Sequence, residues 1–506
     1  MIYDVIVVGG GHNGLISASY LAKAGKSVLL IEGSDHLGGA SISYQAFPEH
    51  DVRLSRYSYL VSLLPDKIVK DLGIKFTTKS REISSYTPDF RGGEDCGLLV
   101  ERNVGKLSDQ SFNKLTGSNH EFLAWKKFYS EVESIAKVIA PTFLEPLPSV
   151  KNLKSKLGND LLWNEICEQP IGRVVRERFS DDLVRGVVLT DALIGTFTSV
   201  DDLQANICFL YHLIGNGTGE WKVPVGGMGA LADELERIAI SSGVEIIRNT
   251  KINKVLPDAK GIELESSTGT NFAGRDLIWA ASPTALASSL GEVKPNLRDG
   301  SQIKINMLLK KLPELKSGVD PKLAFAGTFH INERLTDLEN AFNIAKQNLL
   351  PEVIPAEVYC HSITDPSIVR NTGLHTLTLF ALHTPAVIFE NKRDQNTELV
   401  TKRILSGLNQ YLVEPIETVL AENSDGSKCL EVKTPLDLEE EIFLPRGNIF
   451  HADLTMPFAT DESMHGEWGA QSGTPHIYLG GAGAQRGGGV SGIPAHNAAM
   501  AILSKS

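Results

Sequence analysis

The sequence predicts an α/β fold organised on a parallel sheet, and three observations carry that expectation. A continuous apolar run, Tyr3-Asp4-Val5-Ile6-Val7-Val8, leads straight into Gly9-Gly10-Gly11-His12-Asn13-Gly14 and then into helical spacing. A second apolar run, Ser27 to Ile31, ends on the acid Glu32. Near the other end of the chain, the strand-like His476-Ile477-Tyr478-Leu479 again leads into a glycine turn and a small-residue helix.

Each element follows from its residues. Runs that are apolar without alternation suit parallel strands covered on both faces. Leu15, Ala18, Leu21 and Ala22 recur at helical spacing until Gly25, where a C-terminal cap belongs. In Gly-x-Gly-x-x-Gly, Gly9 permits the tight turn, Gly11 lets a pyrophosphate approach the backbone, and Gly14 lets helix and strand pack closely. The unpaired N–H groups of the helix N-terminus face the phosphates. Glu32, eighteen residues after Gly14, is placed to accept hydrogen bonds from the ribose hydroxyls of a dinucleotide. The acid disfavours a 2′-phosphate and leaves NAD and FAD open.

Composition excludes several classes. The 506 residues exceed a single small domain, and 42% hydrophobic with 22% charged residues is a globular balance. Forty-nine basic against 61 acidic residues give a net charge of -12, the wrong sign for a general nucleic-acid binder. Five dispersed cysteines with no Cys-x-x-Cys argue against a disulfide scaffold or dithiol chemistry. No apolar run reaches the length of a membrane span and no targeting peptide is visible, so a cytoplasmic protein is expected. There is no His-Glu-x-x-His, zinc spacing or Gly-x-Ser-x-Gly, so neither a metal site nor a hydrolase is expected.

Further blocks extend the picture. Trp221 to Gly229 precedes a helix with Leu231, Leu235, Ile238 and Ala239 on one face, and Gly243 ends it. Val244–Ile247, Thr250–Val255 and Asp276–Ala281 read as strands. Two insertions separate these blocks. The first, about 75–220, reads as mainly helical, with Phe122, Trp125, Phe128, Val132 and Ile135 forming a stripe that is expected to be core rather than substrate pocket. The second, about 293–433, carries strand-like Ile303–Met307, Val358–Cys360 and Leu377–Ala381, with a helix over Leu335–Leu349.

Gly11-His12-Asn13-Gly14-Leu15, Gly38-Gly39-Ala40, Ser55-Arg56-Tyr57-Ser58-Tyr59-Leu60, Gly226-Gly227-Met228-Gly229-Ala230, Gly447-Asn448-Ile449-Phe450-His451 and Gly487-Gly488-Gly489-Val490 together resemble the phytoene desaturase-like FAD-dependent oxidoreductases. The resemblance is to the branch of the pyridine nucleotide-disulfide oxidoreductase domain-containing protein 2 type, related to the oxygenase-type carotenoid ketolases, and it runs along nearly the whole chain. It implies a discontinuous glutathione-reductase type 2 FAD-binding Rossmann-like domain (1–74, 221–292 and 434–506). It also implies a helical and β-sheet substrate-binding domain (75–220 and 293–433). The cofactor contacts it implies are Gly9, Gly11, His12, Asn13, Gly14, Glu32, Gly33, Gly39, Ala40, Ser41, Ile252, Gly483, Gly489 and Val490, with the backbone of Ile252 at the adenine. The last helix is implied to turn its N-terminus toward the flavin pyrimidine edge, where its N–H groups would stabilise negative charge on the reduced ring.

Departures from the family pattern matter as well. Gln485-Arg486 stands where ketolases and desaturases commonly carry His-Pro. No cysteine follows Cys429, so a C-terminal cysteinyl flavin link cannot form; noncovalent FAD is expected, with a histidyl link left open. No catalytic residue is assigned, because a flavin can accept hydride while the protein supplies orientation and excludes water. His361, His383 and His451 are candidates that read more readily as structural, and Arg56 fits a pyrophosphate, a substrate anion or a surface ion pair equally well. Three functions remain: an oxidoreductase removing hydride from a C–C or C–N bond of an apolar or amphipathic small molecule, a ketolase-like oxygenase, and a non-enzymatic lipid-binding protein of the GDP-dissociation-inhibitor kind. The electron acceptor, oligomeric state and any peripheral membrane contact are left open by the sequence.

Overall fold

The computed structural model describes residues 2–215, 217 and 219–505. Met1 and Ser506, the outer limits of the expected dinucleotide domain, lie outside these, as do Asn216 and Thr218 of the first insertion.

Two large sheets are present. The first runs in the spatial order Ile252–Pro257, Ile262–Ser266, Asn271–Trp279, Ile2–Val8, Val28–Ile31, Glu245–Ile247, with Ile477–Leu479 added beside Asn271–Trp279. Ile2–Val8 is parallel to both its neighbours, and Val8 lies level with Ile31 and Trp279. That central place explains why Val5 to Val8 are buried without alternation.

On one face, Val5 and Val7 pack with Leu15 and Leu21 of the helix His12–Lys23, Leu231 and Leu235 of the helix Gly229–Ser241, and Ala495 and Ala498 of the helix Ile493–Leu503. The N-terminus, the middle and the C-terminus of the chain therefore close over one core. On the other face, Ile6, Leu29 and Ile31 meet Val255, Leu264 and Leu286.

The second sheet runs Leu430–Lys433, Lys304–Leu309, His375–Ala381, Ala356–Tyr359, Thr328–Ile331, Ile83–Arg91, Glu94–Glu101. Its pairings are antiparallel except Thr328–Ile331 with Ile83–Arg91, which is parallel. Helices from residues 106–214 form a separate apolar block containing Phe122, Trp125, Phe128, Val132 and Ile135.

Several expected elements differ in extent. The first insertion is mostly helical, but it also gives the second sheet a hairpin, Ile83–Arg91 and Glu94–Glu101, turned at Gly92-Gly93, both with positive φ. The expected strand Asp276–Ala281 begins at Asn271 and ends at Trp279, because Ser282 starts a capped helix. The expected helix Leu335–Leu349 stops at Ala345; Leu349 continues the apolar pattern yet is exposed, and Asn348 has already turned to φ 62°. Among the described residues, no helix is long and apolar enough to cross a membrane.

Candidate functional site

The first site feature is the turn after Ile2–Val8. Gly9 takes φ 103°, a left-handed conformation that favours glycine. A Cβ on Gly14 would lie 1.8 Å from the Gly9 carbonyl oxygen, so helix and turn approach as closely as backbone allows. A Cβ on Gly11 would meet only the Gly39 Cα, at 3.9 Å; here the space is left open.

Gly11 is the N-cap of the helix, and no side chain caps it. Its first-turn N–H groups are thus free to serve an anion. The second glycine pair folds against the first: Gly38 N–H donates to the Gly10 carbonyl at 2.9 Å, and Gly38 and Gly39 take φ 107° and 55°. The Glu32 carboxylate accepts from Gly10 N–H at 2.6 Å and Ser34 N–H at 2.7 Å, one on each oxygen. Each oxygen keeps a lone pair for a further donor.

A continuous cavity of about 910 Å³ begins at this cradle. Gly9, Gly11, His12, Asn13, Glu32, Gly33, Gly39, Ala40, Ile252, Gly489 and Val490 all line it. Gly14, Ser41 and Gly483 stand behind the wall: Ser41 Oγ is 3.4 Å from His12 Nδ1, and a Cβ on Gly483 would meet Pro283 and His451. The buried Asn13 Oδ1 has no hydrogen-bond partner within the protein, as expected of an atom aimed at a bound polar group. The uncapped helix start, the open space at Gly11 and this orphaned oxygen fit a dinucleotide.

From the cradle the cavity continues to a chamber between the helical block and the second sheet. Trp125, Tyr129, Val132, Ala136, Val187 and Ile194 supply its apolar side. Trp125 and Val132 of the expected core stripe therefore do two jobs, whereas Phe122, Phe128 and Ile135 are core alone.

The sheet supplies a polar side, built by register. His330 is the direct cross-strand partner of Glu357, Glu357 of Phe380, and Phe380 of Lys304, and all four line the cavity. Lys304 Nζ donates to the carbonyls of Ser55, Arg56 and Tyr57 at 2.7–2.9 Å and lies 5.2 Å from the Tyr59 ring centre. Burial pushes its ammonium down to about 7. Tyr59 and Tyr359 lie 4.8 Å apart, and the Tyr359 hydroxyl donates to Glu357. Arg81 is held by the Trp221 carbonyl and Thr328 Oγ1, with its guanidinium 5.9 Å from the Tyr359 ring.

The chamber end is rich in acid. Burial raises the carboxyl of Asp191 to about 8 and that of Glu357 to about 7, and raises Glu333 well above the usual range. Repulsion from Glu357 adds to this at Asp191 and Glu333, and repulsion from Asp191 at Glu333, while Arg81 opposes it at Asp191 and Glu357.

Profile comparison assigns residues 7–66 to an NAD(P)-binding Rossmann-like domain and residues 67–357 to the flavin containing amine oxidoreductases. The chain belongs to the flavin containing amine oxidoreductase family. An uncharacterized protein of Mycobacterium tuberculosis (strain ATCC 25618 / H37Rv) is 41% identical, covering 99% of this chain and 97% of that one. The pyridine nucleotide-disulfide oxidoreductase domain-containing protein 2 of Mus musculus is 28% identical over 99% of this chain and 93% of its own. In fold, cyclohexylamine oxidase from Brevibacterium oxydans IH-35A superposes with a TM-score of 0.59 at 14% identity, covering 100% of this chain and 99% of that one. The protein is thus an FAD-dependent oxidoreductase of this flavin family, and the expected α/β architecture holds.

Within this family member, the three histidine candidates separate. His451 lines the cavity. His361 is buried beside Tyr59 and Tyr359, and His383 is fully buried between Phe197 and Phe342; neither lines the cavity. Arg56 pairs with Glu441 at 3.0 Å and lies against the rings of Tyr44 and Tyr57, and it does not line the cavity. Gln485 and Arg486, at the departure from the family pattern, are structural: Arg486 donates to the carbonyls of Pro457, Phe143 and Glu145. The chamber residues Arg81, Asp191, Glu357, Tyr359 and Lys304 were not singled out from sequence, and only cross-strand register brings the last three together.

Proposed function

We propose that the protein oxidises an apolar or amphipathic small molecule at a C–C or C–N bond, within the chamber that opens from the dinucleotide cradle. The observation that carries this reading is the continuity of the cavity from Gly11 and Glu32 to Trp125, Asp191 and Glu357. FAD bound at the cradle supplies the hydride-accepting group. The chain's own residues then bind and orient: the apolar side excludes water from the reacting carbon, and the sheet side fixes a polar end of the substrate.

The residues implied to contact FAD divide into those on the cavity wall and Gly14, Ser41 and Gly483, which support it from behind. Among the described residues no cysteine lines the cavity, which supports FAD held without a cysteinyl bond. The two sheets support a division into an FAD-binding part (1–74, 221–292, 434–506) and a substrate-binding part (75–220, 293–433), since each sheet draws its strands from one of these sets.

Glu32→Ala is expected to weaken FAD binding by about 1.5–3 kcal/mol, the scale of a hydrogen bond to a charged group. Fluorescence titration of the apoprotein with FAD measures it, and unchanged affinity removes the ribose role. The reaction class is tested by anaerobic addition of amines, polyenes, NADH and NADPH to the FAD-loaded protein. Bleaching of the flavin band by an amine or polyene, but not by nicotinamide, is the expected result. Bleaching by NADH or NADPH followed by oxygen uptake would overturn it in favour of an oxygenase.

A further inference from the structure

At the inner end of the chamber three buried side chains face one another without a hydrogen bond between them. His330 Nε2 is 3.8 Å from Glu333 Oε2 and 3.9 Å from Glu357 Oε1, beyond hydrogen-bond range. Both oxygens of Glu333, a residue only 1% exposed, have no hydrogen-bond partner. A buried carboxylate in that condition is costly unless something neutralises it.

The backbone builds this arrangement. His330 and Glu357 are paired across adjacent strands. Asn332, at φ 55° just beyond the strand Thr328–Ile331, turns the chain so that Glu333 comes back to the same point. The ring is oriented from behind: His330 Nδ1 is 2.8 Å from Thr87 Oγ1. With Nδ1–H donating to Thr87, Nε2 turns its lone pair toward both carboxylates, an arrangement in which a metal-bound histidine is ordinarily held.

We propose that His330, Glu333 and Glu357 bind one divalent first-row transition-metal ion, of the zinc or manganese type, at the inner end of the chamber. One imidazole and two carboxylates are a donor set suited to such ions. One ligand atom from each residue lies within 4.8 Å of the others. Bonds of about 2.0–2.2 Å require these atoms to close together by a few tenths of an ångström to about one, within reach of side-chain adjustment. His330 and Glu357 line the cavity, which gives the ion an entry path.

The site shares His330 and Glu357 with the polar side of the chamber, but metal binding is measured without substrate and so stands or falls apart from the reading above.

The test uses the FAD-loaded protein, stripped with a chelator and dialysed, and titrated with Mn2+ by electron paramagnetic resonance and with Zn2+ by calorimetry. One equivalent of ion per chain is expected to bind saturably. Glu333→Gln and Glu357→Gln should each lower the affinity by about 100-fold or more, and Thr87→Val, which removes only the support of the ring, by about 10–100-fold. The flavin spectrum and melting temperature report folding of each variant, and Thr87→Val serves if either glutamine variant fails to fold. Absence of saturable binding of both ions to the parent protein overturns the proposal. So does binding that survives the substitutions in folded variants, and so does a Glu333→Gln protein that gains stability while the parent takes up no metal, the signature of a shared proton.

Discussion

Gly11→Leu is expected to give a folded protein that purifies without flavin and binds FAD at least about 100-fold more weakly, equivalent to about 3 kcal/mol. The built Cβ at Gly11 meets nothing closer than the Gly39 Cα at 3.9 Å, so the apoprotein has room for the first atoms of the side chain. That room is the space a pyrophosphate needs to reach the backbone. Gly14→Ala makes the contrast, because its methyl group would sit 1.8 Å from the Gly9 carbonyl. Helix and turn must separate, and the expected cost of at least about 3 kcal/mol falls on folding itself. Melting temperature of the apoproteins, read beside FAD titration, separates the two effects. A Gly11→Leu protein that retains the flavin would show that the cradle lies elsewhere.

Acid should destabilise the metal-free apoprotein steeply just below neutrality. Burial favours the neutral form of eight imidazoles: His12, His212 and His451 are lowered to about 4, His330, His361 and His383 to about 3, and His375 and His496 are lowered as well. An unfolded chain protonates these groups near pH 6.5, so their stability is present above that pH and is lost as pH falls. The raised carboxyls of Asp191, Glu357 and Glu333 run the other way: between about pH 4.5 and 7 they hold protons in the folded state that the unfolded chain releases. The lowered imidazoles outnumber the raised carboxyls, so unfolding takes up protons on balance between about pH 6 and 5, and each net proton costs about 1.4 kcal/mol of stability per pH unit.

Urea midpoints at pH 7, 6 and 5 measure this slope directly, and a flat profile would contradict it. His383→Asn should reduce the slope by about one proton. His383 sits apart from the cavity at φ 57°, a conformation asparagine tolerates.

The cofactor half of the molecule was legible because its information is local. Strand, glycine turn, helix and acid follow one another from Tyr3 to Glu32, and each glycine answers a constraint that only a few residues can meet. Expected bounds erred where local pattern outran tertiary context, as at Leu349. The Gly92-Gly93 hairpin was hidden inside a segment dominated by helical periodicity.

The chamber was not legible for a different reason. His330, Glu357, Phe380 and Lys304 come from four strands spread from residue 304 to 381, and one shift of register would move any of them to the opposite face. Glu333 reaches the same point only through the turn at Asn332. His330 and Glu333 were not singled out from sequence, and their third partner is fixed by sheet pairing rather than by sequence distance.

The central claim is that substrate reacts in the chamber continuous with the dinucleotide cradle. Ala136→Phe narrows the apolar side of that chamber at a buried position of the helix His120–Ile139 and leaves the cradle untouched. Stopped-flow bleaching of the flavin band, under anaerobic conditions and with the best substrate from the panel, measures its effect. The account predicts an unchanged flavin spectrum, unchanged reduction by dithionite, and substrate-driven bleaching slowed by about 10-fold or more, the scale set by a misplaced reacting group. Bleaching at the parental rate in a folded, FAD-loaded Ala136→Phe protein would contradict it.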